Sequence, residues 1–347
     1  MDYSEQVKIE NTKRLRRMLK FLPEFMVEFY RGISDRTSYR TRASYASDFR
    51  LFFDYIGQSK NKLGNEITFE DFAAITTEDI EGFMEYITYY EKECKGKLKT
   101  FKNDERGKAR KLSSIRTLFH YFYKKRRIKS NPSELVDLPK LHDKAIIRLE
   151  VDEVSKLLDE VEDGDKLTKR QSQFHDKTKI RDLAIITLLL GTGMRISECI
   201  GINIDDINFD NNSIKIIRKG GNEAIIYFGD EVQKALLDYL NQRSGVKTLE
   251  GEEDALFLSL QKKRITARAV QNLVKKYAKI VTPLKNISPH KLRSTYGTNL
   301  YRETGDIYLV ADVLGHKDIN TTQKHYANMD ENRRRLAAKV IKLREED

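Results

Sequence analysis

The sequence predicts a mainly helical protein of two domains, with one small β-sheet in the second domain. Three observations carry this. Apolar and aromatic residues recur at helical spacing, as in Tyr45, Phe49, Phe52, Phe53 and Ile56, or Leu112, Ile115, Phe119 and Phe122. One stretch, 213–228, reads as paired strands around Gly220-Gly221, a pair suited to the left-handed turn of a hairpin. A length of 347 residues is enough for two separate cores. The expected division is a helical domain over 1–140, a linker over 141–149, an α+β domain over 150–329 and a tail helix over 330–347.

In the first domain, the charged residues 1–20 predict a leading helix, and 22–30 is apolar and aromatic with Pro23 near its start. Residues 37–56 form an amphipathic pattern decorated by Arg36, Arg40, Arg42 and Arg50. Thr77 is placed to cap a helix over 78–93 with Ile80, Phe83, Met84 and Ile87 inward, followed by a polar segment over 95–103. Between Lys108 and Lys129 there are nine Lys or Arg and no Asp or Glu. A solvated helix face normally mixes signs, so an unmixed run suggests phosphate contacts. The candidate nucleic-acid contacts are Arg40, Arg42, Lys108, Arg110, Lys111, Arg116, Lys124 and Lys125. Asn131-Pro132 is expected to end this helix, which makes the first domain all-helical.

The charge balance agrees with a nucleic-acid partner. The formal net charge is +11, with 34% charged residues, which favours a polyanion. Cys94 and Cys199 are far apart and form no metal or redox spacing, so each is expected to be a small buried thiol in a reduced compartment. No signal-peptide pattern opens the sequence and no apolar run reaches the ~18 residues a membrane span needs. A cytoplasmic protein is expected. Neither a Walker loop nor a carboxylate cluster of metal-ligand type occurs, so no cofactor and no metal are expected.

The second domain opens with a helical pattern over 151–161. The charged stretch 163–179 reads as an insertion or mobile loop. Residues 182–190 are apolar nearly all round, so a buried helix is expected there, stopped by Gly191 and Gly193. Arg195 follows at once, with Glu198 three residues later, a spacing that suits either a carboxylate holding the guanidinium in place or a plain ion pair at a helix start. Lys219 falls at the tip of the predicted hairpin. Helices are expected over 231–241 and 266–280, and Leu336, Val340 and Leu343 mark one stripe of a tail helix.

The stretch 288–326 concentrates chemistry: three of the six histidines lie in it. Ser288-Pro289 suits a helix start, which places His290 and Arg293 on one face, beside N–H groups that favour a phosphate. A second helix, 307–314, is expected to be buried with Tyr308 in it. Gly315 ends that helix and His316 emerges from its end. Asn320 is placed to cap a third short helix carrying Tyr326. One cation, two imidazoles and one phenol are thus set to converge on a single anion. Taken singly, each is an ordinary surface or capping feature; the combination is much less common by chance.

Arg195 in Thr-Gly-Met-Arg-Ile-Ser-Glu, Lys219 before Gly-Gly, His290-Lys-Leu-Arg293, Leu-Gly-His316 and Tyr326 follow one another in the order of the tyrosine recombinases. The sequence resembles that family over nearly its whole length. Leu22-Pro23-Glu24-Phe25, the surroundings of Tyr30 and the 163–179 stretch look most like single-recombinase Xer systems of Gram-positive bacteria. The resemblance implies a helical core-binding domain and an α+β catalytic domain that clamp DNA. It also implies a catalytic set of Arg195, Lys219, His290, Arg293 and His316, supported by Glu198, with Tyr326 as nucleophile. The implied partners are double-stranded DNA bearing a specific site and three further copies of the chain in a tetramer joined by tail helices. An accessory translocase or directionality factor stays open. Two departures occur: Ser294 stands where relatives often carry His, and His316 and Tyr326 are ten residues apart, one more than in many relatives. Integration of a mobile element, a type IB topoisomerase and a non-catalytic DNA-binding protein are the alternatives to Xer-type recombination.

Overall fold

The computed structural model describes residues 3–94, 96–141, 147–218, 221–316 and 319. The chain divides into two compact units, Met1–Lys144 and Ala145–Asp347.

The first unit contains α1 (Tyr3–Leu19), α2 (Met26–Gly32), α3 (Tyr39–Ser59), α4 (Phe69–Ala73) and α5 (Thr77–Tyr86). They are followed by β1 (Tyr89–Cys94), β2 (Lys97–Lys102) and α6 (Glu105–Lys124). Ser38 starts α3 by accepting the Thr41 N–H at 3.1 Å. Phe29, Phe49, Phe52, Phe53, Phe72, Phe83, Phe119 and Phe122 are fully buried in one core. Each such ring stabilises the fold by roughly 1.5–3 kcal/mol. Most meet edge to face, and Phe72 stacks on Phe119 with centroids 4.5 Å apart.

Two features depart from the expectation. The fifth helix stops at Tyr86, and an antiparallel hairpin of β1 and β2 follows. Aromatic and β-branched residues favour strands here: Tyr90 stacks on its cross-strand partner Phe101 at 5.3 Å. Gly96, at φ +72°, supplies the turn. The basic helix α6 also ends early, at Lys124. Arg126 takes φ +55° and the Arg127 N–H donates to the Phe122 carbonyl at 2.9 Å. This closes the helix and turns Ile128 into the core. Pro132 lies in a separate short turn, Pro132–Glu134.

The second unit begins with α7 (Val151–Asp163) and α8 (Lys169–Thr192). The 163–179 stretch is therefore mostly the first half of a long helix. Thr168 caps α8, and Gly164, at φ +73°, makes the turn before it. His175 and Thr178 are the buried residues of that half; the His175 ring meets the Tyr277 hydroxyl at 3.2 Å. Ala184, Ile185, Ile186, Leu188 and Leu189 make the second half the centre of the core.

Next come α9 (Ile196–Gly201), β3 (Ile207–Asn208), β4 (Ser213–Ile217) and β5 (Glu223–Tyr227). The sheet is antiparallel in the order β3-β4-β5, with Ile214 opposite Ile226; the short β3 was not expected. The remaining elements are α10 (Asp230–Ser244), α11 (Ala267–Val281), α12 (Pro289–Thr304) and α13 (Ile307–Leu314). Helices α7, α10, α11 and α12 all pack on α8. The α13 helix is not buried all round: Val310, Ala311 and Leu314 face the core, while Tyr308 is 73% exposed. Among the described residues no helix is long and apolar enough to cross a membrane.

Candidate active site and nucleic-acid interface

Three guanidinium groups from three elements meet the last turn of α13. Arg195 precedes α9 and donates through Nη2 to the Gly315 carbonyl at 3.3 Å. Arg293, on α12, donates to the Leu314 carbonyl, and through its other terminal nitrogen to the Gly193 carbonyl at 2.7 Å. Arg218, directly after β4, donates to the Val313 carbonyl at 3.3 Å. Three successive carbonyls thus each hold a different arginine. The cause is elementary: the C-terminal carbonyls of a helix have no intrahelical partners and carry its negative dipole end.

Each arginine is positioned by local sequence. Glu198 accepts the Arg195 backbone N–H at 2.7 Å and its Nη1 at 2.8 Å, so one buried carboxylate both caps α9 and aims the side chain. The far end of α9 is held by Arg264, which donates to the Ile200 and Ile202 carbonyls at 3.0 and 2.8 Å. Gly193, at φ +62°, is needed twice over, because a Cβ there would also overlap the Tyr296 ring. Pro289 stands at the first position of α12, although the Ser288 side chain makes no capping bond. His290 is exposed and Arg293 buried, one turn apart. Gly315 takes φ +62° and the His316 N–H donates to the Ala311 carbonyl at 2.9 Å, which fixes where His316 leaves the helix.

The structure therefore brings Arg195, Glu198, Arg293 and the His316 turn together, with His290 at the start of the helix that carries Arg293. Lys219, Tyr326 and the tail-helix residues Leu336, Val340 and Leu343 lie outside the described residues. Arg218 is the residue the sequence reading missed. Its only sequence signal is its place beside Lys219, since its target lies 95 residues away. Cys199 is fully buried in α9, and burial, with the Glu198 charge, pushes its thiol up to about 12. It is inert. The Cys94 side chain is outside the described residues.

The basic candidates of the first unit sort by burial. Arg42 is buried and lies over the Tyr39 ring at 4.3 Å. Lys111 is buried and donates to the Asn103 side chain at 2.6 Å. Arg116 is spent on the Ser133 and Val136 carbonyls. Arg42 and Lys111 are thus buried and Arg116 half-buried, each engaged with the fold itself. Arg110 is half exposed but pairs with the buried Asp48 carboxylate. Lys108 is half-buried and reaches the Thr88 hydroxyl at 3.4 Å. Arg40, Lys124 and Lys125 are exposed.

Replacing Lys124 and Lys125 together with Ala is expected to weaken DNA binding and to flatten its salt dependence by up to about two units of log–log slope. Arg110→Ala is expected instead to lower thermal stability by about 1–3 kcal/mol, because it leaves the Asp48 carboxylate buried without its ion pair. Fluorescence-anisotropy titrations at several salt concentrations, with melting curves, check both; an unchanged slope for the double variant removes α6 from the interface.

Comparison with known proteins defines the class. The description of the phage integrase family fits residues 148–333. Over 342 residues the chain is 34% identical to the tyrosine recombinase XerC of Caldanaerobacter subterraneus subsp. tengcongensis, covering 94% of this chain and 89% of that protein. It is 33% identical over 231 residues to the tyrosine recombinase XerD of Staphylococcus haemolyticus, covering 67% and 75%. Among solved structures, the XerH site-specific recombinase bound to palindromic difH substrate in a post-cleavage complex gives a TM-score of 0.65 at 21% identity, covering 88% of this chain and 81% of that one. The Tn1549 transposon integrase in complex with circular intermediate DNA gives 0.64 at 22% identity, covering 89% and 97%. The fold is therefore that of the tyrosine recombinases. The chain belongs to the phage integrase family, and as a tyrosine recombinase it cleaves and rejoins DNA.

Proposed function

We propose that this chain is a Xer-type site-specific recombinase, working in the cytoplasm on the bacterial chromosome to resolve chromosome dimers. It cuts each strand through a 3′-phosphotyrosyl intermediate and exchanges strands by way of a Holliday junction. The first unit serves as the core-binding domain and the second as the catalytic domain, with four copies acting on two paired sites. The observation that carries the reading is the convergence of Arg195 and Arg293 on the Leu314–Gly315 turn, next to His316, in a chain similar to XerC over 94% of its length.

The chemistry follows from the residue types. Cutting a phosphodiester with a phenol requires a proton to leave the phenol, charge on the phosphoryl oxygens to be stabilised, and a proton to reach the departing 5′ oxygen. Tyr326 supplies the attacking oxygen. His290, exposed at the first turn of α12, accepts or shares its proton. Arg195 and Arg293 present planar forks to the non-bridging oxygens and His316 adds a further hydrogen bond. Donors held in place before the charge develops give the largest catalytic term in sites of this kind. The carbonyls and Glu198 that grip the two guanidiniums provide that fixing. Lys219 protonates the 5′ oxygen. The tyrosyl–DNA bond conserves the phosphoester energy, so a 5′ hydroxyl from the other duplex reverses the step without ATP.

The testing experiment mixes purified protein with two duplexes carrying the recombination site, with EDTA and no nucleotide. The expected products are covalent adducts, then Holliday junctions and recombinants that appear only when two sites are present, from a four-subunit complex on a native gel. Relaxation of any supercoiled plasmid by single subunits, with no junctions, would identify a type IB topoisomerase activity instead.

A further inference from the structure

We propose that Arg218 is a positioning residue for His316, a role that rests on the active site assigned above. The backbone of Arg218 belongs to the hairpin: its N–H donates to the Asn222 carbonyl at 2.8 Å and its carbonyl accepts the Gly221 N–H at 3.1 Å. Its side chain belongs to α13. It donates to the Val313 carbonyl at 3.3 Å and lies so close over Gly315 that any Cβ at that position would overlap the guanidinium. Arg218 is thus a strut between the sheet and the turn that projects His316.

The strut acts on the turn that ends α13. Gly315 sits at φ +62°, the left-handed region, and is the residue just before His316. The turn is held by the His316 N–H to the Ala311 carbonyl at 2.9 Å, the Gly315 N–H to the Asp312 carbonyl at 2.8 Å, and the three arginines. Two of those arginines, Arg195 and Arg293, also serve the phosphate. When a phosphate draws on both, Arg218 is the cation whose task remains the turn. Its close approach to Gly315 and its bond to Val313 keep the last carbonyls of α13 neutralised and hold His316 at the distance a hydrogen bond to phosphate requires.

A double-mutant cycle on the full chain tests this. Single-turnover cleavage of a nicked suicide substrate is measured for Arg218→Ala, His316→Ala, Lys219→Ala and the doubles Arg218→Ala/His316→Ala and Arg218→Ala/Lys219→Ala. DNA affinity is measured by anisotropy, and melting curves are recorded. Arg218→Met, which keeps the aliphatic stem, stands in if the alanine variant melts low. Arg218→Ala is expected to slow cleavage roughly 10²-fold with DNA affinity unchanged. The double with His316→Ala is expected to be no slower than His316→Ala alone, whereas the double with Lys219→Ala multiplies the two losses. The proposal is overturned if Arg218→Ala cleaves at the normal rate, if it loses DNA affinity, or if its effect multiplies with His316→Ala. Merging with Lys219→Ala instead would make Arg218 a support of the lysine and overturn it as well. Normal cleavage by His316→Ala would show that the active-site assignment itself has failed, a result distinct from all of these.

Discussion

Tyr326→Phe is expected to bind its DNA site with unchanged affinity and to leave no covalent adduct on a nicked suicide substrate. The change removes one oxygen and keeps the ring. In the proposed mechanism that oxygen forms the new bond to phosphorus, so no neighbouring group replaces it. The loss should reach the background of the assay, the largest effect of any single substitution here. The informative competitor is Tyr308. The sequence suggested a buried phenol there, but it is 73% exposed, so burial does not remove it from consideration. Position argues against it. Tyr308 is the second residue of α13, and seven residues at the helical rise put it about 10 Å along the axis from Gly315, whose end of the helix holds the arginines. Peptide mapping of the wild-type adduct should therefore recover DNA on Tyr326. Recovery on Tyr308 would overturn the nucleophile assignment and leave the family assignment standing.

What could be read from the sequence, and what could not, follows the range of the forces involved. The start of α12 at Pro289, the stop of α13 at Gly315 and the Arg195–Glu198 pair are local: each is decided within four residues by capping geometry or helical spacing. The first half of α8 was not legible, because its buried positions are His175 and Thr178, which leave no apolar period. The buried His175 meets Tyr277, 102 residues away. The hairpin of β1 and β2 was hidden by its lysines and glutamates, although the Tyr90–Phe101 pair holds it. The basic residues teach the same lesson. A sequence shows that Arg42, Lys111 and Arg116 are charged. Whether the charge faces water or turns to the Tyr39 ring, the Asn103 side chain or the Val136 carbonyl is decided by tertiary neighbours. Arg218 was missed for that reason too: the Lys219 beside it drew attention as the hairpin tip, and the carbonyl it serves belongs to a distant helix.

Lys219→Ala is expected to slow cleavage of ordinary DNA by roughly 10²–10⁴, the usual worth of a positioned proton donor. The proposed task is to protonate the 5′ oxygen as it leaves, because an alkoxide is a poor leaving group near neutral pH. A 5′-bridging phosphorothiolate departs as a thiolate, which is stable without a proton. The same variant should therefore cleave the sulfur substrate at close to the normal rate. Arg195→Ala should gain nothing from sulfur, since the task proposed for its guanidinium, held between Glu198 and the Gly315 carbonyl, is to stabilise charge on the phosphoryl oxygens. Lys215 is the control. It lies four residues earlier on β4 and forms an ion pair with Glu223 across the hairpin at 2.9 Å. The hydrogen bond to that carboxylate raises its pKa and occupies the ammonium. Its replacement should change neither rate appreciably. Rescue of His290→Ala by sulfur, without rescue of Lys219→Ala, would make His290 the proton donor. Rescue of neither would mean that both act on the phosphate itself, and the leaving-group step would have to be assigned to another residue.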